Sequence, residues 1–164
     1  MKGKFLQKLL KRPPKKKVYD LSHFENVQEN IWDTAYAEIS AGRKESHWIW
    51  YIFPQLKGLG VSKVSEDYGI DGLEEAKQYL EDRYLHDNLV FITDALLNCS
   101  KDDIHEIVSY PDDFKIRSCM TLFYYAANSL SGTYENDRDL FKTVIDKYYD
   151  GQFDKRTEEM LKWE

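Results

Sequence analysis

Apolar residues return at helical spacing along almost the whole chain, and this periodicity constrains the fold more than any other feature. Phe24, Val27, Ile31, Ala35 and Ile39 form one stripe, followed by Gly42, where a helix commonly ends in a left-handed residue. Ser22 and Glu25 have capping-box spacing, in which each side chain satisfies the other's free amide, so the helix is predicted to open there. A second helix is predicted from Asp71 and Glu74 through Leu73, Ala76, Tyr79 and Leu80, and a third over 85–98 on Leu89, Ile92, Leu96 and Leu97. Ser100 with Asp103 marks a short one. From Asp113 to Leu130, residues Phe114, Ile116, Met120, Leu122, Phe123 and Ala126 lie nearly all round the helix, so it should be central. Gly132 closes it, and helices over 137–149 and 154–163 follow. Only 47–53 alternates as a strand would, and with no partner strand after it the segment reads as a short helix. The expectation is an all-α, compact single domain of about eight short helices.

The charge is divided along the chain. Of 164 residues, the first 17 hold eight Lys and Arg and no acid, leaving 15 basic against 29 acidic side chains in the rest, a net −14 behind an overall −6. Residues 1–17 therefore read as a basic arm and 20–162 as the helical domain, a length suited to one core. Within the arm, Phe5, Leu6, Leu9 and Leu10 would share one stripe of a helix over 3–12, ended by Pro13 and Pro14. Such a helix contacts nucleic-acid phosphate or an anionic membrane surface, packs on the acidic body, or is a solvated tail. No apolar run reaches the roughly 18 residues that span a bilayer. Cys99 and Cys119 without a leader sequence read as reduced thiols of a cytoplasmic protein.

The common catalytic signatures are missing: there is no Gly-rich Lys-Ser/Thr loop, dinucleotide fingerprint, Gly-x-Ser-x-Gly or His-Glu-x-x-His. His23, His47, His86 and His105 stand apart from both cysteines, so no metal and no cofactor are expected. Asp102, Asp103, His105 and Glu106 read as a solvated acidic face. Arg117 near Cys119 would lower its thiol pKa, against the simpler reading of a buried small residue.

Two stretches carry more chemistry than a core requires. The first runs from Ser46 to Ser62 and places His47, Trp48, Trp50, Tyr51, Phe53 and Gln55 before Gly58 and Gly60. Its rings offer flat faces for a base or sugar, its glycines let backbone approach a ligand, and Ser62 is the next helix cap. The alternative is that both tryptophans anchor the core. The second is the start of the central helix, where Asp113 reads as N-cap. Lys115 and Ser118 are three apart and Arg117 and Thr121 four apart, so cations and hydroxyls share faces as an anion site needs. Alternatively the cations pair with the acidic surface and the hydroxyls bond back to helix carbonyls.

The strings HFENVQ, AYAEISAGRKESHWIWYIFPQLKGLGVS, PDDFKIRSCMTLF and YYDGQFDKRTEEML, in that order, resemble the family catalogued as domain of unknown function 1810, over about residues 20–162. Cys119 stands where that family usually has Ser. The resemblance implies a small, mostly helical, soluble bacterial protein and carries no activity. A fainter similarity links Ser65-Glu66-Asp67-Tyr68 to the Ser-Glu-His-Tyr element of the YbiA-like, ADP-ribose-associated proteins, whose C-terminal glycine-rich Trp-Gly segment is missing here. It implies a nucleotide- or ADP-ribose-type ligand; read with the two stretches, the pocket that would hold it is formed by His47, Trp48, Trp50, Gln55, Tyr68, Lys115, Arg117, Ser118 and Thr121. Hydrolysis of an N-glycosidic bond would use the Glu66 carboxylate. The alternative is a non-enzymatic interaction or binding module with an aromatic groove.

Overall fold

Helical periodicity in the sequence becomes a helical body in the computed structural model, which describes residues 15–164; the arm helix expected over 3–12 lies outside them. Among the described residues nine α-helices follow one another: α1 Ser22–Ser40, α2 Ile49–Ile52, α3 Lys63–Asp67, α4 Leu73–Glu81, α5 Arg83–Asn98, α6 Ile104–Ile107, α7 Asp112–Leu130, α8 Glu135–Tyr148 and α9 Lys155–Lys162. A 3₁₀ turn, Gly132–Tyr134, leads into α8. Among the described residues the sole β-type pairing is a parallel bridge between Leu56 and Ile70.

The expected central helix is central. α7 packs against α8, α4 and α9 and touches α2, while α1 lies along α5. Its Ile116, Cys119, Met120, Leu122, Phe123, Ala126 and Ala127 are buried. Around it Trp48, Tyr79, Phe24, Phe53 and Phe141 are fully enclosed, each contributing about 1.5–3 kcal/mol by leaving water. Phe114 is a correction: it is 53% exposed, at the open end of α7. Among the described residues, fully enclosed side-chain polar atoms are paired except Asp113 Oδ1. Gln28 donates to the Tyr51 carbonyl and the Tyr79 hydroxyl, 2.9 Å each, and accepts from Asn88 at 3.0 Å.

Several helix starts differ from the sequence reading. The N-cap of α1 is Leu21, without a side-chain cap bond. The Ser22 amide donates to Asp20 Oδ1 at 2.9 Å, so the turn forms one step earlier and no Ser22–Glu25 box closes. α4 begins after Gly72 rather than at Asp71; the Asp71 amide is held by Glu75 Oε2 at 2.7 Å, not by Glu74. Asp103 rather than Ser100 caps α6, and Pro111 rather than Asp113 precedes α7. Other punctuation agrees with expectation. Gly42 ends α1 at φ 76° with its amide on Ile39, and Ser62 caps α3 through the Ser65 amide.

The last residues of the arm rest on α4 and on the turn before it. Lys16 pairs with Glu74 at 3.0 Å and Glu81 at 3.8 Å, Lys17 pairs with Asp71 at 3.5 Å, and Gln78 donates to the Lys17 carbonyl. No helix of the described residues is long and apolar enough to cross a membrane. Among the same residues no group of three or more His, Cys, Asp or Glu is arranged to hold a metal. Both cysteines are free and buried, and burial pushes the Cys119 thiol well up, so Arg117 does not activate it.

Candidate functional site

The walls of the site are set by how two adjacent tryptophans part. Trp48 and Trp50 are two residues apart at a single turn of helix, where such positions do not share a face. Trp48 turns inward with no exposed surface, and its indole donates to Glu38 Oε1 at 3.0 Å. The same carboxylate accepts the amides of Glu45 at 2.6 Å and Ser46 at 2.8 Å and the Ser46 hydroxyl at 2.7 Å. Burial alone would raise the Glu38 carboxyl; the Ser46 and Glu45 amides, the Ser46 hydroxyl and the indole outweigh it and hold it down at about 2. This node fixes residues 45–48 and turns Trp50 outward.

The following loop is fastened by the bridge. Ile70 donates to the Gln55 carbonyl at 2.9 Å and Lys57 to the Ile70 carbonyl at 2.8 Å. Gly60 is required by crowding: a Cβ there would stand 2.5 Å from Ser65 Oγ. The loop thereby faces the start of α7, where Asp112 holds Lys44 at 2.9 Å and, more loosely, Lys115 at 3.4 Å. The Lys44 ammonium also lies 5.0 Å from the Trp48 ring centre and Lys115 lies 4.7 Å from that of Trp50, both favourable cation–π distances.

Two adjoining clefts result, with Pro111 and Lys115 in the wall of each. The smaller, about 250 Å³, is lined by Gln55, Leu59, Gly60, Phe114, Ser118, Asp154 and Arg156 in addition. The larger, about 380 Å³, adds Lys44, Glu45, His47, Trp50, Tyr110 and Asp112. Together they come within the range of small-molecule sites. His47, Trp50, Gln55, Lys115 and Ser118 are thus brought together from the two sequence stretches.

The remaining candidates are placed elsewhere. Trp48 is sealed in the core and has no face for a ligand. Arg117 is committed to backbone, donating to the Gln152 carbonyl at 2.8 Å and the Phe153 carbonyl at 3.2 Å. Thr121 is fully buried, donating to the Arg117 carbonyl and accepting the Asp154 amide at 2.9 Å. Tyr68 packs edge-on against Tyr51, 4.6 Å between ring centres, and against Phe24. Glu66 is exposed on α3 and belongs to neither cleft wall.

Sequence reasoning passed over Lys44, Pro111, Asp154 and Arg156. Asp154 is the N-cap of α9, accepting from Thr157, and also accepts the Ser118 hydroxyl at 3.0 Å. Arg156 reaches back to the Gly58 carbonyl at 3.3 Å. Both lie about a hundred residues beyond Gln55 in the chain, so no local spacing announces them.

Against known proteins the picture is consistent in fold and silent in activity. No curated protein matches the chain. The crystal structure of the conserved hypothetical protein Rv1873 from Mycobacterium tuberculosis superposes with a TM-score of 0.81 at 38% identity, covering 88% of this chain and 97% of that one. The family described as protein of unknown function DUF1810 matches residues 18–161, beginning where the basic arm ends. The chain belongs to the DUF1810 family.

Proposed function

We propose that the two clefts form one binding site for a nucleotide- or ADP-ribose-type ligand, a planar ring carried on a phosphorylated sugar. Lys115 carries the reading. Its ammonium stands in the shared wall, held by Asp112 only at 3.4 Å and lying over Trp50, so it can turn to an anionic group placed between the clefts. Arg156 supplies a second cation on the side of the smaller cleft. Charge-assisted hydrogen bonds from such groups suit phosphate oxygens. The apolar walls, Leu59, Pro111 and Phe114 on one side and Trp50 and Tyr110 on the other, suit a ring.

Hydrolysis of an N-glycosidic bond is the finer possibility, and the geometry supports binding more strongly. The carboxylates in the walls are Glu45, Asp112 and Asp154 rather than Glu66. Asp112 is paired with two lysines and Asp154 is occupied as a cap. For the end of the arm, Lys16 pairs with Glu74 of α4 and Lys17 with Asp71 before it, which supports contact of these two residues with the acidic body. Two buried free thiols suit a reducing, cytoplasmic compartment.

Thermal denaturation with ADP-ribose, NAD, nucleoside monophosphates and ribose 5-phosphate tests the site. Saturation near a hundred times Kd should stabilise by about 2.7 kcal/mol, roughly 5–10 °C for a domain of this size. Lys115→Ala should weaken the active compound about tenfold. Melting temperatures unmoved by every compound would sink the proposal.

A further inference from the structure

We propose that Gln55 reads the hydrogen-bonding edge of a nucleobase in the smaller cleft, an inference that rests on the binding function above. Gln55 is 8% exposed, yet its carboxamide makes no hydrogen bond to any described residue, while it lines the cleft. Neither of its polar atoms is sealed from solvent, so the amide opens onto the cleft. Gln28 gives the contrast: still more buried, it uses both ends of its amide on Tyr51, Tyr79 and Asn88.

The backbone that carries the unused amide is held in position. Its backbone carbonyl is fixed by the Ile70 amide at 2.9 Å, and the next residue closes the bridge to the same residue. Pro54 before it is buried, and Gly60 lies against it, since a Cβ there would come 3.6 Å from Gln55 Nε2. A group fixed before binding loses little freedom when it pairs.

The chemistry of the amide selects its partner. A carboxamide presents one acceptor beside one donor, and being neutral it gives no special advantage to phosphate. Its complement is a planar edge with a donor beside an acceptor, which nucleobases present and a bare sugar phosphate does not. Leu59, Pro111 and Phe114 in the same walls provide apolar surface for the faces of such a ring, while Lys115, in the wall shared with the larger cleft, stands where its phosphate would leave. The smaller cleft, at about 250 Å³, is then the base pocket, and the larger receives the rest of the ligand.

The test is calorimetry of ADP-ribose, AMP, GMP, UMP and ribose 5-phosphate on the full chain and on Gln55→Met, which keeps length and removes the amide. At least one base-bearing compound should bind about tenfold more tightly than ribose 5-phosphate. Gln55→Met should cut that preference several-fold, the apolar walls keeping the remainder, leave ribose 5-phosphate unchanged, and melt no lower than the parent, because no internal hydrogen bond is lost. If compounds bind without a base preference, or Gln55→Met weakens all of them alike or lowers the melting temperature, the role of Gln55 is overturned while the binding site stands. If none of the five binds, both fall.

Discussion

Glu38 is the residue on which one wall of the site depends, because a single carboxylate gathers four donors from Glu45, Ser46 and Trp48. Glutamine can keep an oxygen for the three donors now on Oε1 and turn its NH₂ only to the Ser46 hydroxyl. It removes the negative charge that strengthens all four bonds, at a cost of roughly 2–3 kcal/mol. Glu38→Gln should therefore melt about 4–12 °C lower, and differential scanning calorimetry will show it. Release of residues 45–48 should also free Trp50, read as broadened indole resonances of that residue with the rest of the spectrum retained. A variant as stable as the parent would remove Glu38 from this role. Nothing in the sequence marks the residue: it is a glutamate in the last turn of α1 with no partner at helical spacing, and its donors lie seven to ten positions ahead in a loop of irregular backbone. His47, Trp50, Gln55, Lys115 and Ser118 were legible because odd composition flagged their segments. Which of two tryptophans faces inward was not, because that depends on the carboxylate beneath.

At the scale of elements, α9 is fastened by its first residue. Asp154 accepts the Thr157 amide and hydroxyl and the Ser118 hydroxyl of α7, and its own amide donates to Thr121. An eight-residue helix has little stability of its own, so its place beside the site rests on this cap and on the burial of Thr157. Asp154→Ala should cost about 1–2 kcal/mol, and Asp154→Asn, which keeps an acceptor, clearly less. Urea denaturation of both variants checks this, and equal losses would mean that the cap bond is not what matters. Helix order, the central position of α7 and the ends at Gly42 and Ser62 followed from period and punctuation. Starts were read less well where two candidate caps compete. Asp20 captures the Ser22 amide, and Glu75 rather than Glu74 reaches back to Asp71. Such contests are decided by which backbone the tertiary contacts permit, a quantity that local spacing does not contain.

For the whole molecule, the acidic body and three titrating contacts determine how stability follows pH. Glu38 is held at about 2, so its contribution is present above the ordinary glutamate value and is lost as pH falls toward 2. Glu25 behaves in the opposite sense. Its hydrogen bond to Asp82, then burial, then neighbouring negative charge raise it to about 7, so its contribution is complete below the ordinary value and is lost as pH climbs to 7. At His86, burial disfavours the charged ring, but contacts to Asp87 at 2.9 Å and Asp137 at 2.6 Å prevail and raise its pKa. The clamp it makes between α5 and α8 is therefore whole below the ordinary histidine value and weakens as pH rises through the raised one. Growing negative charge on a body already at −14 adds self-repulsion in the same direction. The melting temperature should accordingly peak near pH 5 and fall on both sides, with the neutral-side fall carried by Glu25 and His86. Glu25→Gln removes a charge but keeps a hydrogen-bonding partner for Asp82, so it should match the parent at pH 5 and melt above it at pH 7.5. Calorimetric scans of the two proteins across pH 3–8 decide the matter; a melting temperature that rises steadily from pH 5 to 8 would show that these contacts do not govern the stability of the fold.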